Sequence, residues 1–171
     1  IRLVLVHGTR AHISASMTAG GAAPQFVGGR RITDEHSLHH VKQVAGSVRL
    51  DIEARLSMGI ANSPMAGAQV RVVSGNFVTA RPIGVRNGVD FCWTGEVRRV
   101  DAQSLRHSLD SQAMALLSPL GFSPTGEVFN LRSDEVATAV AIALGANKLI
   151  LLGDSDQPGS DQLQPDDLGP S

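Results

Sequence analysis

Three stretches of the 171-residue chain carry groups that are suited to binding a small anion. His7-Gly8-Thr9-Arg10 follows an apolar run typical of a buried strand, and a turn at such a strand end can present backbone N–H groups to an anion. Arg30-Arg31 offers guanidinium forks, which match the geometry of a carboxylate. Asn130 and Asp134 flank a predicted strand-to-helix junction, where open α/β sheets bind ligands. By themselves these residues predict a carboxylate site, and they leave open the plainer interpretations of a turn, a solvated pair of charges and a helix cap.

Other kinds of chemistry have weaker support in the sequence. His36 and His40 stand four residues apart on a predicted helix, so their rings could converge, but no carboxylate ligand is placed nearby and no metal site is predicted. Cys92 has no histidine or aspartate arranged to activate it and is expected to be a buried thiol. The Gly-x-Ser-x-Gly, Gly-x-Gly-x-x-Gly and Walker motifs do not occur in the chain.

The composition excludes several classes of protein. Lys and Arg number 15 against 16 Asp and Glu, so the chain lacks the excess positive charge that a nucleic-acid binder uses to neutralise phosphates. No apolar run approaches the length of about 20 residues that spans a bilayer. The single cysteine rules out a disulfide framework and fits a reducing compartment. We therefore expect no nucleic-acid or membrane partner, and a cytoplasmic location.

The order of apolar runs and helical stripes predicts an α/β domain with a mainly parallel sheet. Its most regular element is an amphipathic helix over residues 34–57, capped by Thr33 and about 35 Å long at 1.5 Å per residue. The apolar stripe of this helix runs through Leu38, Val41, Ala45, Val48, Ile52 and Leu56. Because one small core rarely covers such a length, part of this helix is expected to meet a second subunit. Ser133 is expected to cap an apolar helix that ends at Gly145. Helices are also predicted over residues 12–19 and 101–109, the second capped by Asp101, with a loop over residues 59–67 and a turn at Gly84–Gly88. Strands are predicted over residues 3–6, 69–74, 76–83, 96–100, 113–117, 127–131 and 148–152.

The two ends of the chain differ from the rest. The sequence opens inside the apolar run Ile1–Val6 and not with a methionine, so we expect a segment of a longer protein. Residues 154–171 are rich in Asp, Gln, Pro, Ser and Gly and have too little apolar surface to order themselves. The expected organisation is one domain over residues 1–153 and a disordered tail over residues 154–171.

Several longer strings resemble the bacterial N-acetylglutamate synthases, and the resemblance covers about residues 1–153. The strings are Ile52-Glu53-Ala54-Arg55-Leu56-Ser57-Met58, Asn62-Ser63-Pro64-Met65, Arg71–Pro82, Thr94–Asp101, Leu117–Gly121 and Pro124–Leu131. The resemblance implies the amino-acid-kinase-like domain of that family, a three-layer α/β/α sandwich, here truncated at both ends.

The resemblance also implies a function for the whole enzyme. That enzyme transfers an acetyl group from acetyl-CoA to L-glutamate, the first step of arginine biosynthesis, in an acetyltransferase domain that this chain would lack. The kinase-like domain binds L-arginine as an inhibitor and builds a homo-oligomer, here through helix 34–57. The isolated segment is therefore expected to be inactive and to need no cofactor of its own.

Resemblance to the related N-acetylglutamate kinases assigns roles to single residues. Gly8 matches a glycine that contacts the acyl amino acid, Arg31 the arginine that binds its carboxylate, and Asn130 a substrate-binding asparagine. Together with Thr9 they are expected to form a vestigial acyl-amino-acid pocket. Asp134 matches the aspartate that organises the phosphoryl-transfer lysines, so it is expected to be a vestigial phosphoryl-transfer residue.

The kinase motifs are also incomplete in this sequence. The kinase's three-glycine turn is Gly8-Thr9-Arg10 here, so side chains occupy space that a phosphate would need. The matching lysines would lie outside residues 1–171, so phosphoryl transfer is not expected. An N-acetylglutamate kinase-type phosphotransferase and a freestanding amino-acid-binding regulatory module stay as alternatives.

Overall fold

The computed structural model describes residues 2–58 and 70–153 of the chain. These residues form four helices and eleven short strands. In chain order they are β1 (Val4–Val6), α1 (Arg10–Ala19), β2 (Phe26–Val27), β3 (Arg30–Arg31), α2 (Glu35–Ser57), β4 (Val72–Val73), β5 (Val78–Pro82), β6 (Val85–Arg86), β7 (Val89–Asp90), β8 (Gly95–Val100), α3 (Ala102–Asp110), β9 (Met114–Leu117), β10 (Leu120–Phe122), β11 (Val128–Asn130) and α4 (Ser133–Leu144).

The strands form two main sheets. One has the order β1-β9-β4 and is parallel throughout, with β9 in the centre and all four of its residues buried. A strand buried on both faces is what the continuous apolar run at residues 113–117 predicts. The other has the order β11-β10-β5-β8 and is mixed, since only its β10–β5 pair is parallel. The predicted α/β class with a parallel sheet is confirmed.

Helix ends follow from local chemistry, with small differences from the prediction. Asp101 caps α3 as predicted, accepting a hydrogen bond from the Ser104 N–H at 3.0 Å. Gly145 ends α4 in the left-handed conformation, also as predicted. For α2 the cap is Asp34 and not Thr33, and Ser133 is the first residue of α4 and does not cap it. Thr33 instead has a buried hydroxyl with a role in the candidate site.

The core lies between the parallel sheet, the mixed sheet and helices α3 and α4. Its largest cluster contains Val78, Ala80, Leu105, Leu109, Ala115, Leu117, Phe129, Leu131, Val136 and Val140. A smaller cluster joins α1 to α2 through Ile13, Met17 and Val41. This second cluster packs α1 against the first half of α2.

Helix α2 is buried only along its first half. Leu38, Val41 and Ala45 are buried, whereas Val48 and Ile52 are half-buried. The apolar stripe is therefore present on α2, but the described residues bury only its first half. None of the helices in the described part of the chain is long and apolar enough to cross a membrane.

Residues 148–152 do not form the predicted strand. Within the described residues no strand pairs with them, and Leu149 to Leu152 are exposed to between 43% and 94%. An apolar run becomes a strand only where a neighbouring strand completes its hydrogen bonds, and this run has none there. The predicted turn at Gly84–Gly88 is a hairpin of β6 and β7, whose Asn87-Gly88 loop has two positive φ angles. The predicted loop at residues 59–67 and tail at 154–171 lie outside the described residues.

Candidate functional site

A cleft of about 250 Å³ opens at the carboxyl ends of β1 and β9. Its walls come from the start of α1, the β2–β3 hairpin and the junction between β11 and α4. The sequence-predicted residues Thr9, Arg31, Asn130 and Asp134 all line it. Gly8 is not among the lining residues, and a Cβ built at Gly8 would lie 3.8 Å from Ser133 Oγ. The structure thus places together residues that are far apart in sequence, at the edge of a parallel sheet where ligands usually bind.

Arg31 carries a buried charge without an acidic partner. Its residue is only 5% exposed, and its guanidinium donates to the Arg10 carbonyl at 3.1 Å, to Ser14 Oγ at 2.8 Å and to Met17 Sδ at 3.3 Å. Among the described residues no carboxylate forms an ion pair with it. Burial, with a smaller contribution from the charge of Arg10, lowers the pKa of Arg31 to about 10. A desolvated cation of this kind is stabilised when an anion binds to it.

A chain of buried hydrogen bonds holds Arg31 and Asn130 together. Asn130 Nδ2 donates to Thr33 Oγ1 at 3.0 Å, the Thr33 and Thr94 hydroxyl oxygens lie 2.8 Å apart, and Thr94 Oγ1 donates to the Arg31 carbonyl at 2.5 Å. Thr94 Oγ1 is the donor in both of its contacts, so its single proton is shared between Thr33 Oγ1 and the Arg31 carbonyl. The amide of Asn130 is therefore fixed at the rim of the cleft by the backbone of Arg31. Sequence analysis missed Thr33 and Thr94 in this role.

Asp134 is already neutralised in this structure. Arg132 Nε donates to Asp134 Oδ1 at 3.0 Å, and this pairing lowers the pKa of the Asp134 carboxyl. Arg30 pairs in the same way with Glu135, on the first turn of α4. The resemblance to the kinases assigns Asp134 to phosphoryl transfer, and in this structure its carboxylate is paired with Arg132 at the start of α4.

Two helix N-termini lie at the cleft. Thr9 directly precedes α1, which begins at Arg10, and Ser133 and Asp134 begin α4. The N-terminus of a helix carries partial positive charge and free N–H groups, so both ends favour an anion in the space between them. Thr9 is 4% exposed, so its side chain is packed against the neighbouring residues.

His7 is a buried residue at the end of β1 that contacts the end of β9. It is 6% exposed, its Nε2 lies 2.8 Å from Ser118 Oγ, and its Nδ1 is buried without a hydrogen-bond partner in the described part of the chain. The contact joins the residue after β1 to the residue after β9. Burial, assisted by the positive charge of Arg49 on α2, lowers the pKa of His7.

This burial of His7 predicts a loss of stability in mild acid. Its native pKa lies below the ordinary value of 6.5, so the unfolded chain takes up a proton at a higher pH than the folded chain. The stability is fully present above about pH 6.5 and is lost as the pH falls from there toward the native pKa. Urea unfolding between about pH 5 and 7.5 measures the fall. His7→Asn should reduce this dependence of the free energy of unfolding on pH. The control His12→Asn, at an exposed position of α1, should leave it unchanged. The same dependence in the unmodified chain and in both variants would contradict this role of His7.

The sequence also led to predictions about Cys92 and about the pair His36 and His40, all of which lie outside the cleft. Cys92 is half-buried and not buried, with a φ of 53°. His36 and His40 contact each other edge-on, with ring centroids 4.9 Å apart, and His40 Nδ1 is hydrogen-bonded to Ser16. Among the described residues no group of three or more histidine, cysteine, aspartate or glutamate side chains could hold a metal ion.

Comparison with known proteins identifies the family. The profile of the amino acid kinase family matches residues 1–157. The chain belongs to the amino acid kinase family. The predicted amino-acid-kinase-like fold is therefore confirmed, and the cleft lies in a domain of this family.

Within the amino acid kinase family the chain is similar to the bacterial acetyltransferases that the sequence strings indicated. It is 58% identical over 153 residues to the amino-acid acetyltransferase of Azotobacter vinelandii, covering 90% of this chain and 35% of that protein. It is 54% identical over 159 residues to the amino-acid acetyltransferase of Shewanella oneidensis, and this match covers 93% of this chain and 35% of that protein. The chain thus spans about a third of the length of these curated relatives.

Solved structures agree with this placement. The N-acetylglutamate synthase of Neisseria gonorrhoeae, complexed with coenzyme A and L-arginine, superposes with a TM-score of 0.84 at 42% identity, over 93% of this chain and 37% of that chain. The smu.665 protein of Streptococcus mutans, at 23% identity and a TM-score of 0.71, shows the shared fold alone.

Proposed function

We propose that this chain acts as the amino-acid-kinase-like segment of an N-acetylglutamate synthase. That enzyme transfers an acetyl group from acetyl-CoA to L-glutamate, and in this proposal the segment senses L-arginine and builds the oligomer without carrying out the transfer. The observation that carries the proposal is the 58% identity to an amino-acid acetyltransferase across 90% of the chain. The structural neighbours with coenzyme A and either L-arginine or N-acetyl-glutamate support the same assignment.

We also propose that the cleft is the vestigial acyl-amino-acid pocket that the resemblance to the N-acetylglutamate kinases implies, and that it still offers a carboxylate site. Arg31 supplies a desolvated guanidinium for a carboxylate, and Asn130 presents an amide whose position is fixed by Thr33. Thr9 lines the cleft from the segment between β1 and α1, and Gly8 precedes it in that segment. A freestanding amino-acid-binding module would use the same residues, so this geometry favours it as the second candidate.

Phosphoryl transfer fits the cleft less well. Thr9 is buried at the turn where a kinase brings glycine backbone to phosphate, and Arg132 already pairs with Asp134. A transferring phosphoryl group needs positioned cations that are free to bind it. We therefore place this chain with the synthases.

An exchange of segments tests the proposed function. Residues 1–153 of this chain replace the matching residues of the Azotobacter vinelandii acetyltransferase, and CoA release is followed with glutamate, acetyl-CoA and increasing arginine. The chimera should keep acetyl transfer and the parent's response to arginine, whereas the 171-residue chain alone should release no CoA. The control chimera carries the Streptococcus mutans segment, which shares only the fold and should lose the arginine response.

Two outcomes would refute this assignment. One is CoA release by the isolated chain. The other is a folded chimera, shown by an unchanged melting curve, that transfers acetyl groups without the parent's arginine response.

The oligomeric part of the proposal rests on the second half of α2. Val48 and Ile52 are half-buried, and Leu50 is 58% exposed. A charge placed in a buried apolar contact costs several kcal/mol, so Val48→Asp should shift the chimera toward smaller species in light scattering. The control Gln43→Asp, at an exposed position of the same helix, should leave the mass unchanged. An unchanged mass for Val48→Asp would remove α2 from the interface.

A further inference from the structure

The β6–β7 hairpin is a small two-stranded sheet of its own on the protein surface. Its ladder consists of two residue pairs, Val85 with Asp90 and Arg86 with Val89. Residues 85–88 are exposed, and Val85 reaches 67%. Because a hairpin of two strands is only marginally stable in water, this element should open far more often than the two main sheets.

The loop of this hairpin is Asn87-Gly88, the one place in the chain where glycine follows asparagine. The φ angles of 51° and 78° belong to the tight two-residue loop for which this dipeptide is favoured. Gly88 has no side chain, and a Cβ built there would meet no atom within 4 Å in the described part of the chain. The backbone nitrogen of Gly88 is therefore open to attack on the side chain that precedes it.

We propose that Asn87 is a spontaneous modification site, at which water converts the asparagine to aspartate and isoaspartate. The Gly88 nitrogen forms a bond to Asn87 Cγ, the Cγ–Nδ2 bond breaks, and ammonia leaves with the proton of the Gly88 N–H. The succinimide ring that results takes up one water molecule. Opening of the ring at Cγ yields aspartate, and opening at the backbone carbonyl carbon yields isoaspartate. The site is independent of the function proposed above.

Opening of the hairpin controls the rate of this reaction. Ring closure requires rotation about the Cα–C bond of Asn87, which the ladder on both sides of the loop restricts. Arg86 Nη2 donates to Glu96 Oε2 at 3.2 Å, and the Phe91 N–H donates to the Gly84 carbonyl at 3.2 Å. The arginine of this ion pair is 54% exposed, so the pair contributes only modestly to holding the hairpin closed.

Both products change the hairpin but leave its base in place. Each adds a negative charge beside Arg86, and isoaspartate also lengthens the main chain of the two-residue loop by one atom. Below the loop, the Ile83 N–H donates to the Thr94 carbonyl at 3.1 Å. Since this bond does not involve the loop, the modified chain should stay folded and accumulate beside the unmodified one.

Peptide mass mapping of the 171-residue chain during incubation in mildly alkaline buffer tests the site. Asn87 should gain the mass that replacement of an amide NH₂ by OH adds, and isoaspartate should appear together with aspartate. Asn147 is the internal control, because it is also exposed but precedes Lys148, whose side chain hinders the backbone nitrogen. It should stay unmodified while Asn87 is converted. Conversion of Asn87 no faster than that of Asn147 would overturn the site.

Glu96→Gln tests the control by hairpin opening. It weakens the ion pair with Arg86 without altering the residues on either side of Asn87, so it should speed the conversion by about twofold to fivefold, the worth of an exposed ion pair. Glu127→Gln removes an exposed carboxylate outside the hairpin and should leave the rate unchanged. Equal rates in the unmodified and Glu96→Gln chains would overturn the role of opening.

Discussion

Replacing Arg31 by glutamine should weaken N-acetyl-L-glutamate binding by about 30-fold or more without lowering the stability of the chain. Removing one partner of a buried, hydrogen-bonded charge pair costs about 2–5 kcal/mol of binding free energy, and each 1.4 kcal/mol is about tenfold. Stability should hold or rise, because the substitution removes a desolvated charge that has no acidic partner in the described structure. Calorimetry measures the affinity for the ligand, and urea unfolding measures the free energy of unfolding.

The control for this substitution is Arg98→Gln, which removes the same charge from an exposed position on β8. It should leave the affinity unchanged, which separates a contact with the ligand from a general effect of net charge. An Arg31→Gln chain that is several kcal/mol less stable but binds with its original affinity would show that Arg31 is a structural arginine.

Gly121→Ala should cost about 3 kcal/mol or more of folding stability. A Cβ at Gly121, in β10, would overlap Ala80 Cβ and lie 2.8 Å from Leu131 Cδ1. Ala80 belongs to the paired strand β5 and its Cβ is fixed by the backbone, so two strands would have to separate. Overpacking of a tight core costs about 1–3 kcal/mol and occasionally more, and here the neighbour cannot rotate away.

Gly46→Ala is the matched control in urea unfolding. A Cβ at Gly46 meets no atom within 4 Å, and its position in the middle of α2 favours alanine over glycine by up to about 1 kcal/mol. The two substitutions should therefore shift the unfolding midpoint in opposite directions. A midpoint for Gly121→Ala equal to that of the unmodified chain would contradict the close packing of β10 against β5.

Local signals were enough to predict much of the fold. The stripe through Leu38, Val41 and Ala45 marks the face of α2 that is buried, and Asp101 and Gly145 mark helix ends that depend only on neighbouring residues. The all-apolar run at β9 likewise predicts a central strand. These features need no knowledge of the rest of the chain.

Predictions that depend on distant contacts were less successful. Residues 148–152 have the composition of a strand, but pairing is decided by a neighbour, and none lies beside them in the described residues. Thr33 looked like a helix cap because caps are local, yet its hydroxyl bonds Thr94 and Asn130, 61 and 97 residues away. The sequence could suggest an arginine for a carboxylate, but only the fold reveals that Arg31 is buried without an acidic partner and shares Phe26 with Arg10.

A crystal structure of the chain grown with saturating N-acetyl-L-glutamate tests the carboxylate site most directly. The account predicts one carboxylate within hydrogen-bonding distance of the Arg31 guanidinium, with the Asn130 amide beside the ligand. A cleft without ligand at saturation, or a ligand bound elsewhere with Arg31 still paired only to Arg10, Ser14 and Met17, would contradict it.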